Sequence, residues 1–345
     1  ARTRARIDAE RGAVAGPDSR TRWLALDLVR RWHADPPPLP LWRAVEAMEA
    51  TLAGGPAPCS LALLEPARAA VLGEVDSLLP TVAGLVLIAN GDPGSARAIA
   101  EAITGAARPR GWLSTVAHGR FLRSLAVLPA GLVAEAAADA RAALDFKLAT
   151  ATPLGGVLFA LNPLLDALVE ADRLTEADAL IAQLVPGDPP PHVLTAPVFL
   201  QSRARLRLAQ GRPAEAVADL HAAGERWAEL GVCHPAFATW RVELVPALLA
   251  TGDPGGAQRA AREHLALAER AAAPGPLSAA LRAAEPVPGR GGWSGAGRCR
   301  DPAARTRAPA VPAYPRRPAP PASGAPPAGP SGSSGRTPAA QRSTG

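Results

Sequence analysis

Helix-forming runs of alanine and leucine alternate with short polar turns along this chain, and the alternation is periodic. Each copy has a turn residue followed five positions later by an alanine inside the next apolar run. The copies are Gly91/Ala96, Gly131/Ala136, Asp172/Ala177, Gly211/Ala216 and Gly252/Ala257, with successive turns 40, 41, 39 and 41 residues apart. A period near 40 with about two helices per copy predicts an all-α fold, a tetratricopeptide-like helical solenoid.

The stretch from Phe199 to Gly231 shows why the pattern should fold this way. Apolar residues at 199, 200, 204, 206 and 208 give a rough helical stripe. Gly211 can adopt the left-handed conformation that ends a helix, and Pro213 suits the first turn of the next. The run Glu215 to Leu230 is rich in good helix formers. Ala216 falls where the second helix crosses the first, and its small side chain lets the axes approach. Gly91-Asp92-Pro93 and Gly252-Asp253-Pro254 repeat the same stop and start.

The same reading divides the chain. Residues 1–17 are polar and expected to be frayed. Residues 18–74 hold N-terminal helices: one from the Asp18-Ser19 cap to about His33, with Trp23, Leu26, Val29 and Trp32 as its apolar stripe, a second over about Leu41 to Leu52, and a third over 61–73. Residues 75–284 form the helical-repeat domain, with a looser loop over 186–191 and a last helix to about Ala284. After Leu281 there is no further Leu, Ile, Phe or Met, and residues 285–345 are rich in proline, glycine and arginine. Such a segment cannot bury enough apolar surface to offset its ordering entropy, which predicts a disordered tail. An alternative stands beside it. The pattern stops within a copy, and 36 of the 37 basic residues are arginine, as out-of-frame translation of a GC-rich gene would give. The chain also begins at Ala1 rather than at methionine, which fits a trimmed protein or a fragment.

Composition narrows the function classes. Aromatic residues are only 4% and no long run alternates with period two, so strands are not expected. The longest apolar stretch, Val82 to Ala89, falls far short of the ~20 residues a membrane helix needs, so no membrane partner is expected. Three scattered cysteines, Cys59, Cys233 and Cys299, suggest no disulfide framework, and a cytoplasmic protein is the expectation. The formal charge of +6 invites a nucleic-acid reading, but nine arginines and one acid, Asp301, lie from Pro286 onward. A basic domain that grips DNA concentrates its arginines on one folded face. A tail-driven, nonspecific nucleic-acid binder is therefore the weakest reading.

Searching for chemistry gives no catalytic, cofactor-binding or metal-binding residue, and no cofactor. Lys147, the only lysine, lies between Phe146 and Leu148, so there is no Gly-Lys-Ser/Thr phosphate loop; a surface position is the simpler expectation. Cys233 and His234 are adjacent, yet zinc needs ligands converging from more than one segment, and no second pair is placed to join them. The six histidines are dispersed and read as surface or satisfied core residues. Trp227 and Trp240 read as packing between copies.

A run within this region carries a family resemblance. Arg205-Leu206-Arg207-Leu208-Ala209-Gln210-Gly211-Arg212-Pro213-Ala214-Glu215-Ala216, then Asp219-Leu220, Leu230-Gly231-Val232, Trp240-Arg241 and Leu248-Leu249-Ala250-Thr251-Gly252-Asp253, resemble the helical-repeat region of large ATP-binding LuxR-family, MalT-like transcriptional regulators. Residues 130–184 fit the same region, and the resemblance covers about 75–284. It implies a sensor and coupling role: binding an inducer or a protein partner in the repeat groove, with no catalysis by this chain. Such regulators also have an NTPase and a helix-turn-helix. Neither motif is present here, so DNA would be reached only through a helix-turn-helix missing from this chain. The alternative is a free-standing tetratricopeptide-like adaptor for protein–protein interaction.

Overall fold

The computed structural model describes residues 2–284, apart from 19, 38, 69, 71 and 72. The expected tail, 285–345, lies outside the described residues. The described chain is all-α. Its helices are α1 (Arg2–Ala15), α2 (Arg22–Ala34), α3 (Trp42–Leu52), α4 (Ala57–Arg68), α5 (Leu79–Ala89), α6 (Pro93–Ala107), α7 (Leu113–Val127), α8 (Val133–Ala149), α9 (Leu154–Glu170), α10 (Leu174–Leu184), α11 (Thr195–Ala209), α12 (Pro213–Glu229), α13 (Trp240–Ala250), α14 (Pro254–Ala271) and α15 (Pro274–Ala284). Among the described residues there is no strand, only an isolated bridge between Asp18 and Val193.

The periodic turns are where the sequence places them. Gly91, Gly131, Asp172, Gly211 and Gly252 all have positive φ, between 59° and 94°. Each ends the first helix of a pair. Asp92 and Asp253 then cap the next helix, each accepting a backbone N–H three residues on, at 2.9 and 2.8 Å. The five alanines that follow, Ala96, Ala136, Ala177, Ala216 and Ala257, are at most 3% exposed. Short turns join helices packed side by side, so each pair runs antiparallel. From α5 onward the chain forms pairs α5/α6, α7/α8, α9/α10, α11/α12 and α13/α14. The first helices also touch from pair to pair: α5 with α7, α7 with α9, α9 with α11, and α11 with α13.

A second series of left-handed turns links each pair to the next, at Gly111, Ala151, Gly231 and Ala272. Two of these turns are alanines, which carry no turn signal in the sequence. The loop expected over 186–191 lies between α10 and α11, the one pair-to-pair connection without such a turn.

The N-terminal region departs from expectation. Residues 1–17 were expected to fray, yet Arg2–Ala15 form α1. Its contact stripe is made of small residues: Ala5, Ala9, Gly12 and Ala15 are buried, and hydropathy alone does not find such a face. A Cβ on Gly12 would stand 2.9 Å from Leu28 of α2, so the two helices approach at that point. The expected stripe of α2 holds in part: Trp32 lies in the core and Val29 packs against it. Leu26 is 42% exposed, whereas Ala25, Leu28 and Trp32 face the core. Trp32 meets Trp42 of α3 edge to face at 5.8 Å. The third helix begins four residues earlier than expected and ends at Arg68.

Candidate binding surface

Polar chemistry concentrates in two places among the helix pairs. The first is a charged row across three successive first helices. Asp166 on α9 and Arg205 on α11 each lie six residues before their turn, so they hold one repeat position in consecutive copies. Arg205 donates from Nη1 to Asp166 Oδ1 at 2.5 Å and from Nη2 to Glu243 Oε1 on α13, also at 2.5 Å. The Thr239 hydroxyl donates to Glu243 as well. The side chains are 33%, 21% and 15% exposed for Arg205, Asp166 and Glu243. Burial works against the Arg205 charge, but the two carboxylates more than offset it and hold the guanidinium charged. Burial raises the pKa of Glu243, and Arg205 opposes that shift. Glu243 Oε2 has no partner. The row thus couples three copies electrostatically and leaves one carboxylate oxygen unengaged.

The second place is a cleft of about 570 Å³ between α6 and α8, floored by α7. Arg108, Arg120 and Arg123 line it together with Glu101, Glu135 and Asp139. Arg123 donates to Asp139 at 2.5 Å and to Glu135 at 3.1 Å, and Arg120 reaches Asp139 at 3.3 Å. The same clasp recurs in the pair α11/α12. Arg203 donates to Asp219 at 2.7 and 2.9 Å, and Arg207 lies 2.7 Å from that carboxylate. Arg123 and Arg203 stand eight residues before their turn, Asp139 and Asp219 eight after it. In both pairs a buried aspartate is satisfied by guanidinium groups from the first helix, which locks the two helices in register.

The residues weighed for chemistry are scattered. Lys147, expected at the surface, is half-buried, and burial lowers its pKa. Burial, with Lys147 adding to it, also lowers His118 to about 4. Both groups thus pay for desolvation without facing a carboxylate. Cys233 donates from its thiol to the Ala53 carbonyl at 3.1 Å, and His234 Nδ1 accepts the Ala236 N–H at 3.2 Å. The pair thus takes part in local hydrogen bonding. Among the described residues no group of three or more His, Cys, Asp and Glu side chains could hold a metal ion. Not every histidine is satisfied, however. His264 is 1% exposed and neither ring nitrogen has a partner.

Trp227 is a core residue, 1% exposed, and donates its indole N–H to Gln201 at 2.7 Å. Trp240 packs at the next connection. Its ring would stand 2.8 Å from a Cβ on Gly224, and Arg241 stacks on it at 4.2 Å. The charged row, the clasp and the cleft were missed in the sequence. The signal was available: aligning the copies on their turn residues puts Arg123 with Arg203, Asp139 with Asp219, and Asp166 with Arg205.

Comparison with protein-family models, with curated proteins and with solved structures finds no match for this chain. No helix of the described residues is long and apolar enough to cross a membrane.

Proposed function

We propose that the chain is the sensor and coupling portion of a LuxR-family transcriptional regulator: a tetratricopeptide-like, cytoplasmic, non-enzymatic solenoid that binds an inducer or protein partner and passes that binding on to other domains. The charged row of Asp166, Arg205 and Glu243 carries this reading. Three copies share one ion network, so a ligand that engages Glu243 acts on the relation between α9, α11 and α13 together. Two-state elements whose equilibrium a ligand biases are the physical basis of such coupling. The coding DNA on either side tests the reading. A P-loop NTPase is expected upstream of Ala1, and a helix-turn-helix downstream once the frame is shifted near codon 285. If every frame downstream of codon 285 lacks helical periodicity and no NTPase lies upstream, the regulator reading fails.

A second reading, the free-standing adaptor, is favoured by the docking of the N-terminal helices on the C-terminal connections. Leu194 N–H donates to the Pro17 carbonyl at 2.6 Å, and Cys233 N–H to the Leu52 carbonyl at 3.0 Å. Such contacts suit a body that stands alone.

A further inference from the structure

The helix pairs are copies of one another, so the chain supplies its own comparison. Between α8 and α10 the gap is bridged. Arg141, ten residues after its turn, donates to Glu176, four residues after the next turn. Glu176 accepts a second guanidinium from Arg173 of its own copy. The gap between α6 and α8 has the same two positions, occupied by Glu101 and Glu135. Both are carboxylates, so no bridge between them can form, and like charges across the gap oppose its closing. Glu135 accepts a guanidinium from its own copy, Arg123, and Glu101 accepts one from Arg97 at 2.8 Å. Arg97, across the gap on α6, also acts electrostatically on Glu135, whereas Glu176 takes its cross-copy guanidinium by direct contact. This gap is the one that opens into the cleft of about 570 Å³, within the range of small-molecule sites.

The cleft is also polarised along its length. The α6 and α8 helices both run antiparallel to α7, so the end of α6 and the start of α8 lie at opposite ends of the cleft. Glu135 stands in the first turn of α8, and Glu101 lies nearer that end than Arg108, which follows the last residue of α6. Arg108 is exposed, and Arg120 makes a single contact, to Asp139. The two carboxylates therefore lie toward one end and the exposed Arg108 toward the other, with Arg120 against Asp139, one turn along α8 from Glu135. Three guanidinium groups and three carboxylates line the cleft, so it is electrically balanced. A ligand that carries both signs of charge can therefore meet partners of both kinds.

We infer that the α6–α7–α8 cleft binds a small basic amino acid, its side-chain guanidinium or ammonium group seated by Glu101 and Glu135 where Arg141 sits in the next gap, and its carboxylate held by Arg108 and Arg120. The site is built from α6, α7 and α8, none of which carries the Asp166–Arg205–Glu243 row, and it does not depend on the chain being part of a regulator.

Isothermal titration of the full chain tests this with three probes: L-arginine, agmatine, which lacks the carboxylate, and L-citrulline, which lacks the side-chain charge. L-arginine should bind saturably with one site per chain, and each of the other two should bind at least about tenfold more weakly, the scale of one lost charge-assisted contact. Glu101→Arg should close the gap with an internal bridge to Glu135 and abolish binding, while the helical circular-dichroism signal is kept and the melting temperature does not fall. Glu135→Gln, which cannot build that bridge, should weaken L-arginine at least about tenfold. No saturable heat with L-arginine at concentrations up to about 10 mM would overturn the inference, as would equal binding by agmatine or citrulline, or unchanged binding in the two variants.

Discussion

Buried histidines set the response of this fold to acid. His234 and His264 are 0% and 1% exposed, and burial lowers each from 6.5 to about 4, with Arg241 adding to the shift at His264. A pKa depressed by folding means that the unfolded chain takes up a proton the folded chain refuses. The contribution to stability is therefore complete above 6.5 and is lost as the pH falls through 4. Each histidine should cost about 2 kcal/mol between pH 7 and pH 5, from the 1.36 kcal/mol carried by each pKa unit. His264→Leu should remove its share, and it should cost little at pH 7, because neither imidazole nitrogen has a partner to lose. Urea titrations of both proteins at pH 7 and pH 5 measure this. An equal drop in the two proteins would show that His264 is not responsible. Nothing in the sequence marks His264 as different from His221, which lies on the adjacent second helix α12. Burial is decided by which face of α14 meets α15, and that is a property of neighbours, not of residue type.

At the scale of elements, the turns were legible because they rest on local backbone physics. A helix must stop before it can pair, and glycine stops it in the left-handed region at little cost. Asp172, with φ of 59°, keeps the period even without glycine, since aspartate tolerates that region better than most residues. The pair-to-pair turns were not legible, because Ala151 and Ala272 occupy the same region at 49° and 48° with no sequence signal. Those two alanines carry strain that glycine would relieve. Ala272→Gly should stabilise the protein by about 1 kcal/mol, less the extra chain entropy of glycine, despite glycine's usual penalty near helices. Ala268→Gly, in the interior of α14, should have the opposite sign by about the same amount. Denaturant midpoints of the two variants separate backbone strain from helix propensity. The stripe of α2 was legible only in part: Trp32 and Val29 meet the core, but Leu26 is exposed. Small residues of α1 face α2, and Ala25 and Leu28 turn inward beside Trp32. A periodicity argument finds the apolar face only when the partner helix is apolar in the ordinary, bulky way.

At the scale of the whole molecule, the N-terminal helices are tied to connections more than a hundred residues away, and no local pattern could have announced it. Arg22, 9% exposed at the start of α2, donates to Glu49 of α3 at 2.9 and 3.0 Å and also to the Leu230 carbonyl at the end of α12. A helix C-terminus leaves carbonyls unsatisfied and carries partial negative charge, so a guanidinium there is held twice over. Close backbone approach reinforces the seam: a Cβ on Gly54 would lie 2.7 Å from the Cys233 sulfur, and one on Gly91 would lie 2.8 Å from Pro274. Removing Arg22 should therefore do more than delete one ion pair. Glu49 would remain buried without its counter-ion, and breaking a buried pair from one side costs about 3–5 kcal/mol. Burial already raises the Glu49 pKa, and Arg22 is what opposes it. In Arg22→Ala that opposition is gone, so the folded carboxyl binds its proton at higher pH than the unfolded one. Its cost is present at neutral pH and is relieved as the pH falls through the folded pKa, a sign opposite to that of the histidines. Arg22→Ala with Glu49→Gln should recover part of the loss, because the uncompensated charge is gone while the shape is nearly kept. Urea denaturation of the single and double variants at pH 7 and pH 5 measures both effects. If Arg22→Ala alone costs no more than an exposed ion pair, about 1 kcal/mol or less, the seam between the N-terminal helices and α12 does not hold in solution.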